Sequence, residues 1–132
     1  MADYRLRKCE RLCSRTAMDN LFAQGQSTIA YPLRAVYRYR ESGDHFAQIM
    51  VTIPKKKIRK AVQRVLLRRR IRESYRLHRH ELLSPTLLAR QQGVDVAFIY
   101  LSEDVHPYAL IETKMRELLT RIARQCHTTP TP

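Results

Sequence analysis

A strongly basic segment from Lys55 to Arg79 constrains the fold of this chain more than any other feature. Twelve of its twenty-five residues are Lys or Arg, and its single acid is Glu73. Apolar residues, including Leu67, Ile71 and Tyr75, recur through the segment at a spacing that suits one face of a helix. The pattern therefore predicts a folded cationic helix and not a disordered basic tail.

We expect this helix to begin at Lys57 or Ile58 and to end near Glu81. Arginines four residues apart stack into one ridge on a helix, beside the ridge of the apolar residues. A solvated face is the alternative, but such a face usually mixes charges of both signs. Binding of a polyanion would neutralise the ridge and release counterions, which favours a phosphate-binding surface. The ridge consists of Arg64, Arg68, Arg72 and Arg76.

The composition of the chain indicates one compact domain. It has 132 residues, a formal net charge of +13 and 44% hydrophobic residues, enough for a single core. We expect one domain over residues 1–126 and a flexible tail over residues 127–132. An apolar run of about 18 residues that could span a membrane is absent, and the N-terminus lacks the apolar region of a secretory signal. These features predict a cytoplasmic protein without a membrane partner.

The cysteines give little support for a metal site. Cys9, Cys13 and Cys126 are odd in number, which argues against a disulfide framework. Together with His127 they offer a zinc site as an alternative, although the usual spacing of zinc ligands is tighter. Reduced buried cysteines are common, so we expect no metal bound by the protein.

The first half of the chain predicts one helix and two strands. A helix from Ser14 to Gln24 has a plausible N-cap and is ended by Gly25. Pro32 to Arg40 alternates an apolar face with a largely cationic one, as expected of a strand. Glu41 to Asp44 predicts a hairpin turn, and the returning strand covers about Phe46 to Ile53.

The second half predicts a further strand and an amphipathic terminal helix. A short helix is expected from Ser84 to Gly93, and the nearly all-apolar strand from Val94 to Leu101 should be covered on both faces. Behind Pro107, apolar residues continue at helical spacing to Cys126. The predicted fold is α+β, with a small mixed sheet of about four strands packed with three main helices.

The basic segment resembles a known signature. KKKIRKAVQRVLLRRRIRESYR is similar to the bacterial ribonuclease P protein subunit, in which a Lys-Lys pair leaves a strand and an Ala-Val-x-Arg-Asn-Arg-x-x-Arg-x-x-x-Arg-Glu-x-Tyr/Phe-Arg helix follows. LFAQG and VDVAFIYL lie where that family has the end of its first helix and its buried strand. The resemblance covers about Arg5 to Ala123. It also implies a left-handed strand-helix-strand crossover, against the general right-handed preference.

The resemblance assigns roles to the basic residues one by one. Val65 and Leu66 depart from the motif, because they stand where it has Asn and Arg, and this removes one polar side chain and one cation from it. By the resemblance, seven residues are expected to bind the catalytic RNA of the family. They are Lys55, Lys56, Arg64, Arg68, Arg69, Arg72 and Arg76.

The resemblance also implies that the protein itself does not cut RNA and contains no catalytic residue. In this family a catalytic RNA, using Mg ions that it mainly binds itself, removes the 5′ leader of precursor tRNA. The protein binds that RNA and holds the single-stranded leader, and self-association without RNA stays open. The leader residues implied here are Met18, Phe22, Arg34, Val36 and Arg38. An aromatic ring can stack on any base, whereas core packing is the alternative for Met18 and Phe22.

Three other functions fit parts of the pattern. A general RNA-binding or ribosome-associated protein would show the same charge without the specific helix sequence. A DNA-binding protein that reads the major groove would need Asn or Gln for base edges, and the basic segment contains only Gln63. A self-sufficient nuclease would need clustered carboxylates or a His pair, but the acids of this chain are scattered.

Overall fold

The structure is a computed structural model that describes residues 15–41, 47–82 and 92–128. Its elements confirm the predicted α+β class with three main helices and a mixed sheet of four strands. None of the described helices is long and apolar enough to cross a membrane. The helices and strands are α1 (Arg15–Gln24), β1 (Gln26–Ala30), β2 (Leu33–Glu41), β3 (Ala47–Thr52), α2 (Ala61–Leu82), β4 (Gln92–Tyr100) and α3 (Tyr108–Thr128).

The sheet has the strand order β1-β2-β4-β3. β2 is antiparallel to both β1 and β4, while β3 is parallel to β4. The predicted hairpin between β2 and β3 is therefore wrong, because β4 lies between them. β4 is apolar enough to be covered on both faces, which suits an interior position in the sheet. The hand of the β3–α2–β4 crossover stays a prediction.

One face of the sheet packs against α2 and α3 and forms the main core. Alternate residues of β2 point to this side, as predicted, and Leu33, Ala35 and Tyr37 are all at most 2% exposed. Full burial of a large apolar side chain stabilises the fold by about 1.5–3 kcal/mol. The two helices contribute the predicted apolar stripes, which are Leu67, Ile71, Tyr75, Ile111, Met115, Leu118, Leu119 and Ile122.

The opposite face of the sheet is covered by α1 and holds a smaller core. Leu21 packs there with Val36 and Ala97, so the fold has three layers. Gly25 ends α1 as predicted, and its N–H donates to the Leu21 carbonyl at 2.7 Å. A Cβ at Gly25 would lie 2.3 Å from that oxygen and 3.0 Å from Cγ1 of Val36. The close approach of α1 to β2 thus requires glycine at this position.

Several element boundaries differ from the predictions. α2 begins at Ala61, because the preceding residues form a turn in which the N–H groups of Lys57 and Ile58 donate to the Pro54 carbonyl at 3.0 and 3.1 Å. Gln92 and Gly93 belong to β4, so Gly93 does not end a short helix, and residues 84–91 of that predicted helix lie outside the described part of the chain. β1 was not predicted, since its five residues, QSTIA, show no continuous alternation.

The termini also differ from the expected domain limits. α3 continues to Thr128, two residues into the segment expected as a tail, and residues 129–132 lie outside the described part of the chain. The predicted N-cap, Ser14, also lies outside it. The helix that follows starts at Arg15, in agreement with the sequence prediction.

Candidate nucleic-acid interface

The segment that precedes α2 presents a dense group of cations to solvent. Ile58 is 2% exposed and anchors the segment in the main core. The residues around it are exposed, so the backbone turn at Pro54 directs positive charge outward. The exposed cations are Lys55, Lys56, Lys57, Arg59 and Lys60.

Arg64 connects this segment to the first turn of α2. Its Nη1 donates to the backbone carbonyls of Ile58 at 2.9 Å and Arg59 at 2.8 Å. Both carbonyls precede α2, and the two N–H groups on Nη1 are placed to reach one carbonyl each. Arg64 therefore holds the cationic segment in place, a role that its charge alone did not indicate.

The arginine ridge of α2 does not form one uniform surface. Arg68 and Arg72 of the ridge are partly buried, whereas Arg69, which lies beside the ridge, is exposed. Arg76 forms an ion pair with Glu73, with Nε donating to Oε2 at 3.2 Å. The hydrogen bond to the Glu73 carboxylate raises the pKa of Arg76. The outward positive charge is thus strongest near the N-terminal half of α2.

Two further arginines of α2 serve packing between elements. Nη1 of Arg70 donates to the His106 carbonyl at 2.6 Å, which joins α2 to the segment before α3. Arg79 is only 4% exposed. The sequence pattern did not single out either residue, because every arginine of the segment carries the same charge and only their contacts distinguish them.

A second surface lies where α1 crosses the sheet. Phe22 is 50% exposed, so core packing does not account for this side chain. Met18 is partly buried against the cluster of Leu21 and Ala97, which agrees with the core alternative for this residue. Val36 is 5% exposed beneath α1. Little of the Val36 side chain is therefore accessible, and its contact with a leader stays a prediction.

Arg34 and Arg38 flank Val36 on the same face of β2, and both are partly buried. Nε of Arg34 is buried and has no hydrogen-bond partner among the described residues. Ile29 lies opposite Arg34 in β1 and is 56% exposed. Arg38 lies opposite Asp95 of β4, a carboxylate that is 7% exposed. The surface therefore combines exposed apolar groups with a buried donor that has no acceptor in the part of the chain that the structure describes.

A polar cluster fixes α2 against α3. Nε2 of His78 lies 3.1 Å from Oε2 of Glu112, and the hydroxyl of Tyr108 donates to the same oxygen at 3.2 Å. The hydrogen bond with His78 lowers the pKa of Glu112. Desolvation, together with the Glu112 charge, raises the pKa of Tyr108 to about 12. The cluster sets the orientation of the helix that carries the ridge.

The described residues offer no site for a resident metal. They contain no group of three or more His, Cys, Asp or Glu side chains that could hold an ion. Cys9 and Cys13 lie outside the described residues, and the side chain of Cys126 is not described either. The zinc alternative from the sequence therefore stays a hypothesis.

Comparison with known proteins points to one family. The family model for Ribonuclease P matches residues 6–123 of this chain. A ribonuclease P protein component from Porphyromonas gingivalis strain ATCC 33277 is 37% identical over 123 residues, covering 92% of this chain and 89% of the relative. The ribonuclease P protein component of strain W83 is also 37% identical, over 119 residues, covering 89% and 86%.

Solved structures share the fold. A mutant of the Staphylococcus aureus RNase P protein has a TM-score of 0.69 at 21% sequence identity, covering 89% of this chain and 90% of the other. The RNase P protein from Thermotoga maritima has a TM-score of 0.66 at 24% identity, covering 85% and 96%. At these identities the likeness concerns the architecture and not individual contacts.

Proposed function

Because this chain belongs to the family of bacterial ribonuclease P protein subunits, we propose that it has two separate RNA-binding surfaces in the holoenzyme. Ribonuclease P is an endoribonuclease of tRNA processing, and the chain acts as a protein subunit of it. The segment before α2 and the outer face of α2 bind the catalytic RNA. The surface between α1 and the sheet holds the single-stranded leader of precursor tRNA.

One observation carries the assignment of the catalytic-RNA surface. Between Lys55 and Arg72 there is no acid, and the exposed cations of this stretch lie on a rigid segment tied down by Ile58 and Arg64. Catalytic RNA and precursor tRNA are both polyanions, so their association is opposed by Coulomb repulsion. A cationic protein that contacts both lowers this repulsion and releases counterions.

The proposed leader surface is supported by the exposure of Phe22 and by a buried N–H of Arg34 that has no acceptor among the described residues. Phe22 is half-exposed and can stack on a base without regard to its identity, as variable leaders require. A phosphate near Arg34 would supply the acceptor that its buried Nε lacks among the described residues. Arg38 adds a second cation on the same face, and Val36 supports α1 from below.

Magnesium is assigned to the RNA and not to the protein. The described residues contain no group of three or more His, Cys, Asp or Glu side chains that could hold the ion. In this proposal the RNA carries out hydrolysis of the phosphodiester bond. The protein stabilises the assembled state, and its place of action is the cytoplasm, where precursor tRNA is processed.

Salt-dependent binding tests the catalytic-RNA surface. Replacing exposed Arg69 by Ala should flatten the plot of log affinity against log salt by about 0.7–0.9, since one phosphate contact is lost. Arg116 is also exposed but lies on α3, so Arg116→Ala is the matched control and should keep the wild-type slope. Equal slopes for both variants and wild type would place the RNA on another surface.

A further inference from the structure

Three apolar side chains lie exposed on the most basic part of α2. Val62, Val65 and Leu66 are 81%, 52% and 38% exposed, and we call them the apolar patch. Their spacing of three and four residues puts them on one side of the helix. Leu67 and Ile71, both fully buried, mark the side that faces the core. The patch therefore points away from the fold and has no role in the main core.

The rim of the apolar patch is cationic. Arg59 and Lys60 precede it and are exposed, and exposed Arg69 follows one turn after Leu66. A second copy of the chain would bring two such rims together, and the formal net charge of +13 on each copy opposes that contact. The occupant that fits must be anionic and must also offer apolar faces. Unpaired nucleotides of RNA combine both properties in one group.

We propose that the apolar patch contacts an unstacked nucleobase of the catalytic RNA while the surrounding cations bind the adjoining phosphates. The inference rests on the proposed function and deepens it, because it defines what kind of RNA structure this face accepts. A base over Val65 and Leu66 would also exclude water from the rim, which strengthens neighbouring charge–phosphate contacts. The interface would thus read an unpaired segment and not only a helical backbone.

A triple variant tests this inference. Val62→Thr/Val65→Thr/Leu66→Gln keeps side-chain size and similar helix propensity but makes the patch polar. We expect affinity for the cognate catalytic RNA to fall about tenfold. Because no cation is removed, the salt slope should stay at the wild-type value. The matched control is Leu77→Gln, since Leu77 is 36% exposed on the same helix three turns further on.

Crosslinking identifies the occupant directly. A photo-crosslinking amino acid at position 65 should attach to an unpaired nucleotide of the catalytic RNA, whereas the same group at exposed Thr113 of α3 should not. A crosslink from position 65 to a second copy of the protein would overturn the proposal. So would wild-type RNA affinity in a triple variant with an unchanged melting temperature.

The two proposals can fail separately. If wild-type protein stimulates precursor processing at low magnesium while the triple variant binds RNA as tightly as wild type, only the apolar contact is wrong. If wild-type protein neither binds the catalytic RNA nor stimulates it, the proposed function fails and the inference fails with it.

Discussion

Arg64 is hydrogen-bonded through Nη1 to the carbonyl oxygen of Ile58 at 2.9 Å, which ties the cationic segment to the helix that follows it. Ile58 is itself 2% exposed, so the segment is held from both sides, by an apolar anchor and by a guanidinium. An arginine that by charge alone resembles a phosphate ligand therefore acts here as a positioning residue. Its contribution to RNA binding is expected to be largely geometric.

Arg64→Lys separates geometry from charge. Lysine keeps the positive charge, but its side chain is one bond shorter and its ammonium does not reach the position from which Nη1 donates to both carbonyls, so the variant should lose about 1 kcal/mol of stability. RNA affinity should fall with an unchanged salt slope, and amide exchange should increase at residues 57–59. Arg69→Lys is the matched control and should leave stability and exchange unaltered. Identical behaviour of the two variants would remove the positioning role.

Phe22→Ala should act on the leader and not on the fold. Because the side chain is 50% exposed, its loss should barely change the melting temperature. Binding of precursor tRNA should weaken by about 1–3 kcal/mol through lost stacking, while mature tRNA binding stays the same. The neighbouring Leu21, fully buried, is the contrast: Leu21→Ala should cost about 2–5 kcal/mol of stability. Equal weakening for both tRNAs in Phe22→Ala would argue against a leader contact.

Arg34→Met should stabilise the free protein slightly or leave its stability unchanged. The substitution removes a buried Nε that has no partner among the described residues and keeps an unbranched side chain. An unsatisfied buried donor costs about 1–3 kcal/mol, so its removal offsets the packing lost. Affinity for precursor tRNA with a leader should nevertheless fall. A thermal melt beside a binding titration measures both, and a clear drop in melting temperature would mean that the donor is satisfied in solution.

Stability should decrease at acid pH through Glu112. The hydrogen bond with His78 lowers the pKa of this carboxyl below its ordinary value of 4.5. A lowered pKa adds stability that is present above the unfolded value and is lost as pH falls through the folded one. Melting temperature measured below pH 4.5 should therefore fall less in Glu112→Gln than in wild type. Glu117→Gln, an exposed neighbour on α3, should keep the wild-type profile.

Stability should also decrease at alkaline pH, through Tyr108. Burial raises the pKa of Tyr108 from 10.0 to about 12. Its contribution is complete below pH 10 and is lost as pH rises toward 12, because the folded state favours the protonated phenol. Tyr108→Phe should make this decrease smaller. Ultraviolet titration of phenolate in wild type and variant follows the group directly, and an ordinary pKa near 10 would contradict the burial described.

Periodicity was sufficient to predict α2 and α3, because long amphipathic helices carry a repeated signal and their stripes are the buried residues observed. It did not predict the position of β3, since pairing depends on which strand best tolerates burial on both faces, and β4 takes the interior place. The observed start of α2, Ala61, differs from the predicted one for a local reason. Ile58 enters the core from a turn. Its spacing from the apolar residues that follow is also compatible with a helix, so the sequence pattern did not distinguish the two.

For the candidate surfaces, the charge pattern predicted which helix carries the cations but not the contacts that each cation makes. Arg64 and Arg70 donate to carbonyls, and Arg76 pairs with Glu73. Val36 alternates with arginines in the sequence, yet α1 covers it. The surroundings of Arg70 and Val36 depend on residues distant in the sequence, whereas Arg64 and Arg76 make local contacts. The charge pattern alone distinguishes neither kind of contact.

The most direct measurement is cleavage of precursor tRNA at low magnesium, with purified protein, with the cognate catalytic RNA, and with both together. We predict no cleavage by the protein alone, weak cleavage by the RNA alone and strong cleavage by the pair. Raising magnesium should reduce the advantage of the pair, since cations then screen the repulsion between the two RNAs. Robust cleavage by protein freed of RNA, or no stimulation of the RNA at any magnesium concentration, would contradict the account.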